Sequence, residues 1–130
     1  MTKTNRELVI DNLVAFDRLA YAEIAADYAE DAVLHFMQKE PIQGRQNILD
    51  FFESQFAKIT NTRIEITDVY ESGDTVIVER IDHYDYDGHS VSCPVANFTR
   101  VENGQIVLWN EYFDQKFAAD QVVASMKASS

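Results

Sequence analysis

Two turn dipeptides, Asp87-Gly88 and Asn103-Gly104, divide the second half of the chain into three segments with strand-like alternation. Asp, Asn and Gly tolerate the positive φ angles of a tight hairpin, so each dipeptide predicts a reversal between antiparallel neighbours. The predicted strands are residues 75–86, 90–101 and 105–113. Three strands in succession form a meander, which must bury at least one face.

The first half of the chain has helical spacing instead. Thr4 and Glu7 match a capping box, and the apolar residues after them predict a helix from residue 5 to 19. We expect a shorter helix near residues 21–28, strands at 32–37 and 64–69, and a short helix near the C-terminus. Asn47 is expected to cap a third helix, whose apolar stripe is more simply a core face than a cofactor site. Helices followed by strands predict an α+β fold.

Length and charge limit the possible functions. A chain of 130 residues fits a single domain, residues 1–130. The net charge of −11, with no cluster of Lys and Arg, disfavours binding to nucleic acid or to an anionic membrane surface. No apolar run approaches the roughly 20 residues of a membrane-spanning helix. With one cysteine, Cys93, and no apolar signal core, we expect a cytoplasmic protein.

The predicted strands carry apolar residues on both faces. Val76 and Val78 share a face with Arg80 and Asp82, whereas Ile77 and Ile81 lie on the other. By the same alternation, Trp109, Glu111 and Phe113 are expected to oppose Ile106 and Leu108. The helices can cover one face only, so we expect a homodimer that packs through the other face.

Three charges fall on the face that Val76 and Val78 assign to the interior. Arg80 and Asp82 are two residues apart on one strand, and Glu111 shares parity with aromatic neighbours on another. A solvated strand end or a structural ion pair would explain Arg80 and Asp82 alone. Convergence with Glu111 favours a functional site, in which one carboxylic acid is protonated and the other carboxylate acts as base.

The stretch VERIDHYDYDGHSVSCPVANFTRVENGQIVLWNEYFD resembles the second half of the limonene epoxide hydrolases and SnoaL-like polyketide cyclases of the nuclear-transport-factor-2-like superfamily. The Arg-x-Asp strand, the Pro-Val…Phe strand, the Asn-Gly turn and the Trp-x-x-Tyr-Phe-Asp ending match in order and spacing. YAEDAVLHFM resembles the family's passage from helix to strand. The resemblance implies a conical α+β barrel, whose curved, mainly antiparallel sheet and N-terminal helices enclose a pocket.

The resemblance also implies roles for individual residues. Asp82 would be the acid, Arg80 the bridge and Glu111 the base, one methylene longer than the family's Asp. Leu34 and Phe36 stand where the hydrolases have a Tyr and an Asn that position water. A steroid isomerase mechanism is rejected, since its three functional residues would fall on apolar positions, namely Phe36, about Leu13 and about Ala96.

Other polar and aromatic residues are assigned around this centre. Tyr84 and Ser92 are expected to offer hydroxyl groups to a substrate. The expected apolar contacts are Leu34, Phe36, Phe98, Trp109 and Phe113. His35 should point to the opposite face, and Cys93 is expected to be a buried structural thiol. The polar residues His83, Asp85, Asp87 and His89 match a solvated hairpin tip better than a metal site, so we expect no metal.

The first hypothesis is therefore a cofactor-independent enzyme that acts on a small apolar molecule, of epoxide, terpene or polyketide type, by acid-base chemistry. Epoxide hydrolysis is its most specific form. A SnoaL-like cyclase or isomerase that abstracts a proton is the first alternative. A non-catalytic module that binds a small ligand or dimerises is the second.

Overall fold

Three long antiparallel strands form the centre of the sheet, as the two turn dipeptides predict. The computed structural model describes residues 2–128. Its elements are α1 (Asn5–Val14), a 3₁₀ turn (Ala15–Arg18), α2 (Tyr21–Ala26), β1 (Tyr28–Phe36), β2 (Ile42–Gln43), α3 (Arg45–Gln55), β3 (Ile59–Ser72), β4 (Thr75–Tyr86), β5 (His89–Glu102), β6 (Gln105–Phe113) and α4 (Gln115–Ala128). The strands form one curled sheet in the order β2-β1-β6-β5-β4-β3. Only the β1–β6 pairing is parallel.

Both hairpin turns use the left-handed backbone region. Asp87 and Gly88 have φ angles of 50° and 83°, and Asn103 and Gly104 have φ angles of 51° and 73°. Two consecutive residues with positive φ give the turn whose twist matches that of the flanking strands. The predicted meander and the α+β fold class are confirmed.

The N-terminal helix begins at the predicted capping box. The backbone N–H of Glu7 donates to Thr4 Oγ1 at 3.1 Å, and the Thr4 N–H donates to Glu7 Oε1 at 3.0 Å. The prediction that Asn47 caps the third helix is wrong. The helix begins at Arg45, and Gly44 is its N-cap. Asn47 lies inside the first turn, where its side chain donates to the Gln43 carbonyl at 2.9 Å.

The first strand is longer than predicted. It begins at Tyr28, which was expected to lie in a helix, and pairs there with Ile106 of β6. Tyr28 is 1% exposed and belongs to the main hydrophobic core. Four extra N-terminal residues in β1 therefore bring a buried phenol to the sheet.

The sheet has an inner face toward α1, α2 and α3 and an outer face on the opposite side. Val76 and Val78 are buried in the main core, while Ile77 and Ile81 remain half-buried on the outer face. Ile106 is an exception to the predicted alternation.

In that part of the sheet, Arg100 pairs with Leu108 but Val101 pairs with Ile106. Val107 is thus an extra residue, a bulge that reverses the parity of the strand. Ile106 is consequently 0% exposed and lies in the core, so the expectation that it opposes Trp109 is wrong.

The C-terminal helix α4 packs against β5. The Gln121 amide accepts from the Ser92 backbone N–H and donates to the Ser92 carbonyl, both at 2.9 Å. It thereby satisfies a stretch of β5 that extends beyond its pairing with β6, which begins at Val95. Within residues 2–128, no helix has the length and hydropathy required to cross a membrane.

Candidate active site

The guanidinium of Arg80 is the centre of a buried polar network on the inner face of the sheet. Its Nε donates to Asp82 Oδ1 at 2.8 Å, and Nη2 donates to Asp82 Oδ2 at 3.1 Å. Nη1 donates to Glu111 Oε1 at 3.1 Å, and Nη2 also donates to Glu111 Oε2. The remaining N–H, on Nη1, donates to Asn97 Oδ1 at 2.7 Å. Arginine has five N–H donors, so every one of them has a partner.

Strand register explains why these residues meet. Arg80 and Asp82 are two apart on β4, so their side chains leave the same face. On the neighbouring strands, Asn97 pairs with Val78 on one side and with Glu111 on the other. Arg80 bonds Asp82 on its own strand and reaches across β5 to Asn97 and Glu111. The structure thus brings together the three residues singled out for chemistry.

The two carboxylates have different environments. Glu111 Oε1 accepts a second hydrogen bond from the indole Nε1 of Trp109 at 2.8 Å, so Glu111 has three donors. One lone pair on Oε2 is left without a donor. Among residues 2–128, Arg80 alone donates to Asp82, and each of its oxygens keeps a free lone pair. The Asp82 side chain is 18% exposed, compared with 10% for Glu111.

A polar relay behind Arg80 was missed by the sequence interpretation. Asn97 accepts from Arg80 and donates through Nδ2 to Thr99 Oγ1 at 2.8 Å, and both residues are 0% exposed. The sequence alternation could have indicated these two residues. Asn97 and Thr99 lie on the same face of β5 as Val95 and Val101, in a series that is otherwise apolar. Through Asn97 the relay holds Nη1, the nitrogen of Arg80 that also donates to Glu111.

Arg80, Asp82 and Glu111 form the charged part of the wall of a cavity of about 110 Å³. The rest of the wall is largely aromatic. Of the predicted contacts, Leu34, Phe36, Tyr84, Trp109 and Phe113 line it. Rings from α3 and the 3₁₀ turn close the opposite side, where Phe16 and Phe52 meet edge-on at 5.5 Å. Water held in such a cavity has few polar partners other than the carboxylates.

The family follows from the sequence match. Residues 10–109 match the SnoaL-like domain. This chain belongs to the SnoaL-like domain family. No curated protein matches it in sequence.

Solved structures share the fold at low identity. An LEH-like epoxide hydrolase from M. tuberculosis has a TM-score of 0.81 at 20% identity, over 95% of this chain and 92% of that one. A hypothetical protein from Catenulispora acidiphila with a ketosteroid isomerase-like fold has a TM-score of 0.83 at 21% identity, over 92% of this chain and 95% of that one. SalBIII is described as an epoxide hydrolase/cyclase-like enzyme with a role in pyran ring formation in the polyether salinomycin. It has a TM-score of 0.76 at 15% identity, over 86% of this chain and 92% of that one. The expected nuclear-transport-factor-2-like fold is confirmed.

Two residues predicted to contact substrate lie outside the cavity of this SnoaL-like domain. Ser92 is exposed on the outer face, where it shares a 2.7 Å hydrogen bond with His83, its partner across the hairpin. Phe98 is 41% exposed and meets the Tyr112 ring at 5.5 Å. The even-numbered side chains of β5 point outward, and Cys93 is the residue opposite Asp82. The expectation that Ser92 and Phe98 line the pocket is therefore wrong.

Burial keeps the other ionisable side chains of the cavity neutral. It raises the pKa of the Tyr84 phenol to about 12 and that of the Cys93 thiol to about 11. Both groups can donate a hydrogen bond at neutral pH but do not ionise there. Burial alone would lower the Arg80 pKa, but attraction to Asp82 and Glu111 outweighs it and raises the pKa. Arg80 is therefore a permanent cation.

The polar residues around the first hairpin form ordinary hydrogen bonds. Asp85 accepts from Asn61 at 2.8 Å and from Ser90 at 3.1 Å, and His89 contacts Ser125 at 2.8 Å. No group of three or more potential metal ligands occurs within the described part of the chain. His35 leaves the inner face and contacts the Lys39 carbonyl at 3.1 Å.

Proposed function

We propose that this SnoaL-like domain is a cofactor-independent enzyme that opens a small apolar epoxide with water. One observation carries the proposal: a buried Arg80 bridges Asp82 and Glu111 in the wall of an apolar cavity. Burying three charges costs several kcal/mol per ion, and such networks are weak devices for stability. Two differently solvated carboxylates on one cavity supply an acid and a base.

The hydrogen bonds suggest which carboxylate is the base and which is the acid. Glu111, with three donors, suits the role of ionised base, and its free Oε2 lone pair can take a proton from water. Asp82, the more exposed of the two, would protonate the epoxide oxygen. Arg80 neutralises one carboxylate, so a proton on Asp82 leaves the buried network without net charge.

The proposed reaction balances in one turnover. The water oxygen forms a bond to an epoxide carbon while the C–O bond to that carbon breaks. Glu111 receives the proton of the attacking water, and Asp82 gives its proton to the departing oxygen. The product is a diol. Return of one proton from Glu111 to Asp82 restores the starting state, with Arg80 cationic throughout.

The cavity volume favours a compact substrate. A cavity of about 150 Å³ holds benzene in a well-characterised engineered protein. At about 110 Å³, the present cavity is smaller. A molecule of terpene or polyketide size would have to widen the cavity or extend through its mouth. Cyclohexene oxide is only slightly larger than benzene and would extend little through the mouth, so it is the first substrate to test, with limonene oxide as the larger comparison.

The test is incubation with cyclohexene oxide in heavy-oxygen water. Hydrolysis predicts a diol that carries one heavy oxygen. Asp82→Asn should lower the rate by about 10² or more, because general acid catalysis contributes about 10²–10⁴. Asp85→Asn is the matched control, because it makes the same change on the same strand at a carboxylate that accepts from Asn61 and Ser90 and lies outside the cavity wall. Equal activity of wild type and Asp82→Asn would refute the acid role.

A cyclase or isomerase is the second candidate, and the apolar side chains of Leu34 and Phe36 in the cavity wall favour it. Proton abstraction by Glu111 needs no bound water. Exchange of substrate hydrogen with deuterated solvent, without incorporation of heavy oxygen, would support this reaction. Binding of the probe without either reaction would indicate a binding module.

We also propose that the protein is a homodimer that packs through the outer face. Ile77 and Ile81 are half-buried there, beside the more exposed rings of Phe98 and Tyr112. Glu79 is exposed between the two isoleucines, and an apolar cluster with polar residues beside it is typical of an interface. Sedimentation equilibrium is the test, and a monomer at micromolar concentration would refute the dimer.

A further inference from the structure

Tyr28 places an unused hydroxyl group in the cavity. Its side chain is 1% exposed, and its ring lies 6.3 Å from the Trp109 ring and 6.4 Å from the Phe52 ring. Within residues 2–128, no hydrogen bond involves the Tyr28 hydroxyl; the Arg45 bond to this residue reaches the backbone carbonyl. Within residues 2–128, the fully buried side-chain atoms without a partner are Asn12 Oδ1 and Thr62 Oγ1, so the unpaired Tyr28 hydroxyl keeps some accessible surface on which a small molecule can bind.

The hydroxyl belongs to the same cavity as the carboxylates. Tyr28 lines that cavity together with Trp109, whose indole N–H donates to Glu111 at 2.8 Å. Burial, and after it the negative charge of Glu111, raises the Tyr28 pKa well above its usual range, while Arg80 opposes the shift. The phenol therefore remains protonated and is a donor. Within the described residues it makes no hydrogen bond to Glu111, so its hydrogen remains free for a small molecule in the cavity.

We propose that Tyr28 is a positioning residue that holds the attacking water against Glu111. It would supply the contact that Leu34 and Phe36 cannot make. The inference rests on the proposed hydrolytic function. Water can accept the Tyr28 hydrogen bond with one lone pair, donate one hydrogen to Glu111 Oε2, and keep its second lone pair for the epoxide carbon. One donor and one acceptor on opposite sides fix its direction of attack.

Tyr28→Phe removes the hydroxyl and retains the ring. We expect kcat to fall about 10- to 100-fold, since a misplacement of about 1 Å can cost a hundredfold, while KM changes less than threefold. The matched control is Tyr70→Phe, the same change at a ring that is 50% exposed on β3, which should retain wild-type activity. A purely structural role would instead lower the thermal midpoint of Tyr28→Phe without separating kcat from KM.

A second measurement needs no variant and no turnover. A high-resolution crystal structure of the wild-type protein should contain an ordered water within hydrogen-bond distance of both Tyr28 Oη and Glu111 Oε2. A cavity without that water overturns the inference, as does a Tyr28→Phe enzyme within twofold of the wild-type kcat. If the wild type opens no epoxide, the proposed function fails, and the water position still decides the role of Tyr28.

Discussion

Replacing Arg80 with Met tests whether the buried network acts as a coupled unit. Met has a similar length and no charge, so the variant removes all five hydrogen bonds and leaves Asp82 and Glu111 without their cation. Those side chains are 18% and 10% exposed, and water can compensate them only in part. Removing one partner from a buried ion network costs about 3–5 kcal/mol.

That loss of stability predicts a measurable decrease in Tm. At about 2.1 cal/mol/K per residue, a chain of 130 residues unfolds with an entropy of about 0.27 kcal/mol/K, so Tm should fall by about 11–18 °C. Urea unfolding followed by the fluorescence of Trp109, the single tryptophan, measures the same loss directly.

A companion variant separates charge from packing. Arg80→Met combined with Asp82→Asn and Glu111→Gln removes every charge from the network and should recover much of the lost stability. If Arg80→Met costs less than about 1 kcal/mol, the guanidinium behaves as a surface ion-pair partner and the energetic reasoning fails. Equal losses in the single and triple variants would assign the effect to packing.

Two further predictions concern single groups in the cavity wall. Among residues 2–128, the buried Thr62 hydroxyl has no hydrogen-bond partner. Thr62→Val should therefore leave the free energy of unfolding, measured by urea titration, unchanged or raise it by about 1 kcal/mol. A decrease of more than about 1 kcal/mol would contradict this prediction. Burial raises the pKa of the Cys93 thiol to about 11. The reaction of this thiol with iodoacetamide should therefore be slow at pH 8 and accelerate toward pH 11. A rate already at its plateau near pH 8 would refute the assignment.

The alternation of strands made the convergence of the charged residues predictable. Period two alone assigns Arg80 and Asp82 to one face, and the Asp87-Gly88 turn fixes how β4 meets β5. The same two-residue turn also pairs Ser92 with His83, so the outward direction of Ser92 could have been derived from the register. Its assignment to the pocket failed because Ser92 lies opposite His83, which is on the outer face, and not opposite Asp82.

Other features had no signal in the sequence. The bulge at Val107 is a single extra residue, and nothing in its composition distinguishes it from a regular strand position. Tyr28 follows residues with helical spacing, and only its pairing with β6 shows that the strand has already begun. Its contact with Trp109, and hence its nearness to Glu111, depends on long-range pairing that local pattern does not encode.

All five N–H donors of Arg80 have partners within the protein, and this affects which ligands the cavity would favour. An arginine in a pocket ordinarily attracts phosphates and carboxylates. Here all five N–H groups are already bonded within the protein, so none can be offered to an anion. An entering anion would instead meet the oxygens of Asp82 and Glu111. This arrangement disfavours anionic ligands despite the buried cation, in agreement with the uncharged substrate proposed above.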